Sequence, residues 1–281
     1  MSGGKNRIKL AISPCPNDTF IFGPMILGLT NQAKGIEKKD ILTEYYDIQT
    51  LNEIALLNTH DVIKVSAAHA NSISDHYDFL TCGGAMGLNC GPLLISKNER
   101  NPHSIDFSPV ILPGKNTTAR FLFEYAFPNA KSKFYGTFSE IEELLINEVY
   151  PFGVIIHENR FTFESKGLVK IMDLGENWYQ KTGLPIPLGL IGIKRDLEDS
   201  LKIRIKQLIL SSLEYATRYV EQIFPFIKSY AQELDRDVIF QHIELYVNEF
   251  SFDIGTAGKS AIVELFKSSQ SGEKVAQINF I

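Results

Sequence analysis

Through its first two-thirds the chain alternates short apolar runs with stretches in which apolar residues recur at helical spacing. Residues 9–13, 46–49, 62–65, 79–82, 93–96, 110–112, 134–137, 152–156 and 188–193 have the character of strands. Several are apolar without interruption, as strands covered on both faces are. Helices are expected over 20–29, 53–59, 119–126 and 139–147. Strands alternating with helices are the rhythm of an α/β fold. Pro24 falls inside the first helix, removes one hydrogen bond there, and predicts a short or kinked helix. From Asp196 onward the pattern is helical. Leu201, Ile205, Leu208, Ile209, Ser212 and Ala216 fall on one face. Pro225 predicts an interruption, and helical patterns resume near 235–250 and 256–268.

Three strands end alike. Ser13-Pro14-Cys15-Pro16-Asn17-Asp18-Thr19-Phe20 follows the first, with two prolines that stiffen the turn and three residues (Asn17, Asp18, Thr19) suited to a helix N-cap. Residues 61–66 run into Ser66 as a cap before Ala67-Ala68-His69-Ala70. Residues 110–112 lead into Pro113-Gly114-Lys115-Asn116-Thr117-Thr118 before the helix over 119–126. In an open parallel sheet such ends share one edge, where helix starts offer amide N–H groups to an anion. Capping alone explains any one of them. Three together, with few acidic neighbours, suggest a pocket for a carboxylate or a polyol. The glycine-dense stretch 83–93 lacks the spacing and the lysine of a phosphate-binding loop, and reads as cleft-lining backbone or a crossover.

Composition narrows the function classes. A chain of 281 residues with 44% hydrophobic and 22% charged residues is an ordinary globular protein of one large or two medium domains. A net charge of −5 argues against a broad basic face for nucleic acid. Three cysteines (Cys15, Cys82, Cys90) form no C-x-x-C pair and fit a reducing compartment. No apolar run has the length of a signal-peptide core or a membrane span, so a cytoplasmic location is expected.

His157 is the titratable residue to single out. An apolar strand, 152–156, ends at it in a cluster of polar groups, and imidazole accepts a proton near neutral pH with modest tuning. A lone histidine at a strand end is nonetheless more often structural than catalytic. His60, His69, His76 and His103 make no metal spacing, and no metal site is expected. His242 is expected on a face of a C-terminal helix. Cys15 could be activated by the helix start beside it, but with no base near it in sequence it reads as a buried, inert thiol. Capping accounts for Asp18.

Taken together, Ser13 to Phe20, Lys64-Val65-Ser66-Ala67-Ala68, Pro113-Gly114-Lys115-Asn116-Thr117-Thr118-Ala119 and Ile156-His157-Glu158-Asn159-Arg160-Phe161-Thr162 resemble the 1,4-dihydroxy-6-naphthoate synthases, a family of the futalosine route of menaquinone biosynthesis. Thr182-Gly183-Leu184-Pro185-Ile186-Pro187-Leu188-Gly189 and Tyr246-Val247-Asn248-Glu249-Phe250-Ser251 agree, so the likeness runs nearly the full chain in order. It departs at Leu88-Asn89-Cys90, where a more basic, glycine-rich loop is usual, and at His69, where an aromatic residue is common.

The resemblance implies a two-lobed α/β fold like the type 2 periplasmic binding proteins, with C-terminal helices and a ligand cleft between the lobes. The chain would cross near 94–98 and 189–194, giving one lobe from 1–96 and 194–281 and the other from 97–193. The resemblance also implies a carbon–carbon or carbon–oxygen lyase converting cyclic dehypoxanthinyl futalosine, a small-molecule carboxylate, to 1,4-dihydroxy-6-naphthoate. His157 would be the proton acceptor. Asn17, Lys64, Val65 and Ser66 would bind substrate from one lobe, and Thr117, Thr118 and Ala119 from the other. Lys64 is the natural partner for the substrate carboxylate. No cofactor, nucleic acid or membrane is expected, and the sequence leaves the oligomeric state open. The competing readings are a small-anion binding protein and the chorismate dehydratase of the same pathway.

Overall fold

The computed structural model describes residues 7–30, 35–269 and 277–281. Its strands, in chain order, are β1 (Ile8–Ile12), β2 (Ile41–Tyr45), β3 (Val62–Ser66), β4 (Tyr77–Gly87), β5 (Leu93–Ser96), β6 (Val110–Leu112), β7 (Lys133–Tyr135), β8 (Phe152–Ile155), β9 (Val169–Asp173) and β10 (Ile186–Lys194). They form two five-stranded sheets, ordered β2-β1-β3-β10-β4 and β7-β6-β8-β5-β9. The sheets follow one plan. Three parallel strands (β2, β1, β3 and β7, β6, β8) continue into a strand that is antiparallel to its neighbours on both sides, β10 in one sheet and β5 in the other. The helices are α1 (Pro16–Leu27), α2 (Ile48–Leu56), α3 (Ala70–Ile73), α4 (Thr118–Ala126), α5 (Phe138–Ile146), α6 (Leu174–Thr182), α7 (Asp199–Arg218), α8 (Val220–Tyr230), α9 (Arg236–Tyr246), α10 (Glu249–Phe252) and α11 (Gly255–Lys267).

Each sheet carries one lobe, and the lobe boundaries differ from those expected. Strand β5 belongs to the second sheet and β10 to the first. The crossings therefore fall before Leu93 and between Thr182 and Ile186, not at 96/97 and 193/194. Both strands are apolar on both faces, so nothing in their own pattern says which sheet takes them. Residues 46–49 are not a strand. Asp47 accepts hydrogen bonds from the Gln49 and Thr50 N–H groups and starts α2 there. Strand β9, whose burial is mixed, was not foreseen.

Helix α1 begins at Pro16, earlier than the apolar pattern indicated, with Cys15 as its N-cap and proline in the first turn, where the missing N–H costs nothing. It runs through Pro24 and closes on Gly28, whose φ of 76° suits glycine. The Ser212 hydroxyl accepts from Met25 N–H and donates to Ile21 C=O, a pair that bond each other in an uninterrupted helix. A hydroxyl from α7 thus bridges the ladder beside Pro24. The apolar face read on α7 is buried as expected at Ile205, Leu208, Ile209, Ser212 and Ala216. The break in the C-terminal helices falls at Tyr219, between α7 and α8, and α8 continues through Pro225.

One buried cluster, including Leu51, Val65, Leu94, Phe121, Trp178 and Tyr246, joins the facing sides of the two lobes. A second packs α1, α7, α8 and α9 on the first sheet, and a third lies within the second lobe. No helix among the described residues is long and apolar enough to cross a membrane.

Candidate active site

The parallel strands of both sheets point their C-terminal ends at the boundary between the lobes. Strands β1, β2 and β3 deliver Ser13 to Asp18, Asp47 and Ser66, while β6 and β8 deliver Pro113 to Thr118 and Ile156-His157. These ends surround a cavity of about 530 Å³. Asn17, Lys64, Ser66, Thr117, Thr118, Ala119 and His157 all line it. Val65 does not: its side chain is fully buried in the core, as alternation along β3 requires once Lys64 and Ser66 face the cavity.

His157 roots in a short 3₁₀ turn, 157–161, immediately after β8. Its φ of 67° lies in the left-handed region, which residues other than glycine seldom occupy. The neighbours that hold this turn are buried: Asn159 Nδ2 donates to Glu142 Oε2 at 2.6 Å, and Glu158 Oε1 accepts from Gln232 N–H at 3.4 Å. Burial pushes the His157 imidazole down to about 4, against the pull of the Asp18 and Asp47 carboxylates. The ring is therefore neutral at physiological pH. Its Nδ1 lies 3.1 Å from Cys15 Sγ, a partner that neither segment reveals alone because 142 residues separate them.

Asp18 is not a simple cap. Its Oδ2 accepts from Ser13 N–H and Oγ–H at 3.2 and 2.7 Å. Its Oδ1 accepts from Asn17 Nδ2 at 3.0 Å and from Lys64 Nζ at 2.8 Å. Both members of the Lys64–Asp18 pair are buried. A buried ammonium without a counter-charge would be costly, and Asp18 meets that need. Lys64 thus reaches the cavity with its charge already compensated by Asp18. Because Asn17 Nδ2 faces Asp18, Asn17 Oδ1 must be the acceptor of its 3.0 Å bond to His242 Nε2. That places the proton of His242 on Nε2. Burial, and then the neighbouring His157, push His242 well below the usual imidazole range.

The Ser66 side chain does not cap the turn that follows it. Its N–H donates to Asn52 Oδ1 and its hydroxyl accepts from Asn52 Nδ2, which also donates to Asn116 C=O in the other lobe. Thr117 caps α4, accepting from Arg120 N–H and donating to Gly114 C=O. The Thr118 hydroxyl donates to Leu188 C=O and accepts from Ala68 N–H, another tie across the lobes. With both hydroxyls engaged, α4 offers a ligand the first amides of the helix, beside exposed Lys115.

Sequence reading missed Asn52, Asp47, Gln49, His242 and Tyr246 as components of this region. A polar Asn52 sharing the buried side of α2 with Leu51 and Ala55 was the available signal. His242 and Tyr246 reach the cavity from α9, far along the chain. The fold also gathers His157, Glu158 and His242, whose potential metal-ligating atoms lie within 4.8 Å of one another, a grouping that spacing along the chain does not display.

Residues 8–271 match a protein-family model for menaquinone biosynthesis. The chain belongs to this family. It is 34% identical to the 1,4-dihydroxy-6-naphthoate synthase of Thermus thermophilus, with 94% of each chain aligned. It is 36% identical to the protein of the same name from Streptomyces coelicolor, with 92% of this chain and 90% of the relative aligned. A crystal structure of an Archaeoglobus fulgidus protein superposes with a TM-score of 0.88 at 27% identity, covering 94% of this chain and 97% of that one. The periplasmic aliphatic sulphonate binding protein of Escherichia coli gives a TM-score of 0.65 at 10% identity, over 98% and 94% of the two chains. The two-lobed binding-protein fold is thus shared with carriers, while the family is one of menaquinone-biosynthesis proteins.

Proposed function

We propose that this family member converts cyclic dehypoxanthinyl futalosine to 1,4-dihydroxy-6-naphthoate in the cavity between its lobes, acting as a lyase. The observation that carries the reading is the placement of His157: a neutral imidazole, fixed in a left-handed turn, at the wall of an interlobe cavity that also exposes the start of α4. His157 takes a proton from the ring carbon next to the bond that breaks. The electron pair released expels the sugar-derived fragment, and aromatisation of the new ring drives the step. The amides of Thr118 and Ala119, with Lys115, receive the substrate carboxylate. Asn17 and Ser66, held by His242 and Asn52, orient the sugar-derived portion. Packing of the lobes around the cavity excludes water during proton transfer. An elimination of this kind requires no cofactor. Three cysteines, all buried and unbridged, accord with work in the cytoplasm.

The protonation state has a consequence for pH dependence. The base acts only when neutral, and its value in the free protein is about 4 rather than the ordinary 6.5. The acid limb of kcat/KM, which reports the free protein, should therefore fall only as pH drops toward about 4. A bound carboxylate favours the imidazolium, so the limb of kcat should lie at higher pH than that of kcat/KM. Coincident limbs near the unperturbed histidine value would contradict a buried base.

The shared fold with a sulphonate carrier supports one competing reading, a protein that binds a small anion without altering it. Incubation with cyclic dehypoxanthinyl futalosine, followed by mass detection of both naphthoate and the released fragment, separates the two. Equimolar appearance of both products supports the lyase. Saturable binding with the ligand recovered unchanged supports the carrier.

A further inference from the structure

Cys15 Sγ lies 3.1 Å from His157 Nδ1. The thiol belongs to the turn that opens α1 in the first lobe, and the imidazole to the turn after β8 in the second, so this contact crosses the lobe boundary. Cys15 is buried, and its side chain caps no helix amide. His157 lines the cavity and Cys15 does not, an arrangement that fits a ring whose Nδ1 edge meets the sulfur and whose Nε2 edge lies on the cavity side. A neutral imidazole carries its proton on one nitrogen only. With the proton on Nε2, the ring presents a donor to the substrate and cannot accept a proton there. With the proton on Nδ1, the lone pair is at Nε2, where the proposed reaction needs it.

We propose that Cys15 is a positioning residue for the proton transfer: its sulfur accepts Nδ1–H of His157 and holds the ring in the tautomer whose Nε2 lone pair faces the cavity. The inference rests on His157 being the proton acceptor. The left-handed turn fixes where the imidazole begins, and the sulfur fixes how the ring is rotated and which nitrogen is protonated. When Nε2 takes a proton from substrate, Nδ1–H stays directed at the same sulfur, so the imidazolium forms without reorganisation. Burial, with Glu158 and Asp18 nearby, raises the thiol well above its usual value. Cys15 therefore remains a thiol at neutral pH and is not a nucleophile in this arrangement.

The test combines kinetics with a readout that needs no turnover. ¹⁵N chemical shifts of the histidine rings, with His157 assigned by its own substitution, report the tautomer in the free protein. The wild type is expected to show His157 protonated at Nδ1, and Cys15→Ala to shift the ring toward the Nε2–H form. In Cys15→Ala, kcat should drop about tenfold or more with KM within about twofold, whereas Cys15→Ser, which keeps an acceptor, should recover to within about threefold of wild type. Thermal unfolding of both variants confirms that they fold. A wild-type ring protonated at Nε2, or a Cys15→Ala protein with unchanged tautomer and unchanged kcat, overturns the proposal. Equal losses in the alanine and serine variants accompanied by a raised KM would mark a packing role and overturn it as well. Activity in His157→Ala would remove the base assignment itself, an outcome separate from the tautomer measured in the free protein.

Discussion

His157→Ala is expected to lower kcat by about 10² to 10⁴-fold, the range that a positioned general base supplies. Substrate affinity should change by only a few-fold. The alanine removes the proposed proton acceptor but keeps the hydrogen bonds that tie Asn17 to His242, Ser66 to Asn52, Thr117 to Gly114 and Thr118 to Leu188. Alanine keeps the Cβ that makes a left-handed backbone costly, so thermal unfolding of the variant is measured alongside to separate loss of the imidazole from loss of fold. Equilibrium binding beside single-turnover kinetics distinguishes the two effects. A variant that binds and still turns over at near the wild-type rate would show that another group takes the proton.

The second large effect concerns stability. Lys64→Ala should cost about 3–5 kcal/mol, because it leaves the Asp18 carboxylate buried without its counter-charge. Asp18 keeps its bonds from Ser13 and Asn17, which soften the loss but do not neutralise the charge. Pairing Lys64→Met with Asp18→Asn removes both charges at once and should restore much of the stability, since replacing a buried ion pair whole is far cheaper than breaking it. Urea unfolding midpoints for the single and double variants measure this. A single variant within about 1 kcal/mol of wild type, the range of an exposed pair, would mean that the pair is solvated.

The sequence carried the fold where a local pattern has one meaning. Residues 110–112 are apolar at every position, end in Pro-Gly, and meet a threonine cap, and β6, the turn and α4 follow as read. Residues 46–49 misled because tyrosine and isoleucine favour strands, whereas Asp47 decides the matter by binding the N–H groups of Gln49 and Thr50. Asp47 at the end of β2 and Thr117 after β6 cap their helices with their side chains, whereas Asn17 and Ser66, expected in the same role, do not. The lobe boundaries were hidden for another reason: 93–96 and 186–194 are apolar on both faces, and periodicity cannot say which sheet a strand will join.

Within the site, His157 was legible as a polar break at the end of an apolar strand. Its partners were not. Cys15 and His157 stand 142 positions apart, and Asn17 and His242 stand 225 apart, so only the packing of α9 and the second lobe against the start of α1 brings them together. Lys64 lines the cavity, and the carboxylate it pairs with is Asp18 of the chain itself. A lysine in a strand of otherwise buried residues signals that some carboxylate must accompany it, but the sequence does not say that Asp18 fills that role.

The most direct test of the account is a crystal structure of the His157→Asn variant soaked with cyclic dehypoxanthinyl futalosine. The account predicts the ligand in the interlobe cavity, its carboxylate at the start of α4, and its labile C–H directed at the substituted side chain from about 3–3.5 Å. A ligand bound outside this cavity, or one whose labile proton points away from position 157, would contradict it.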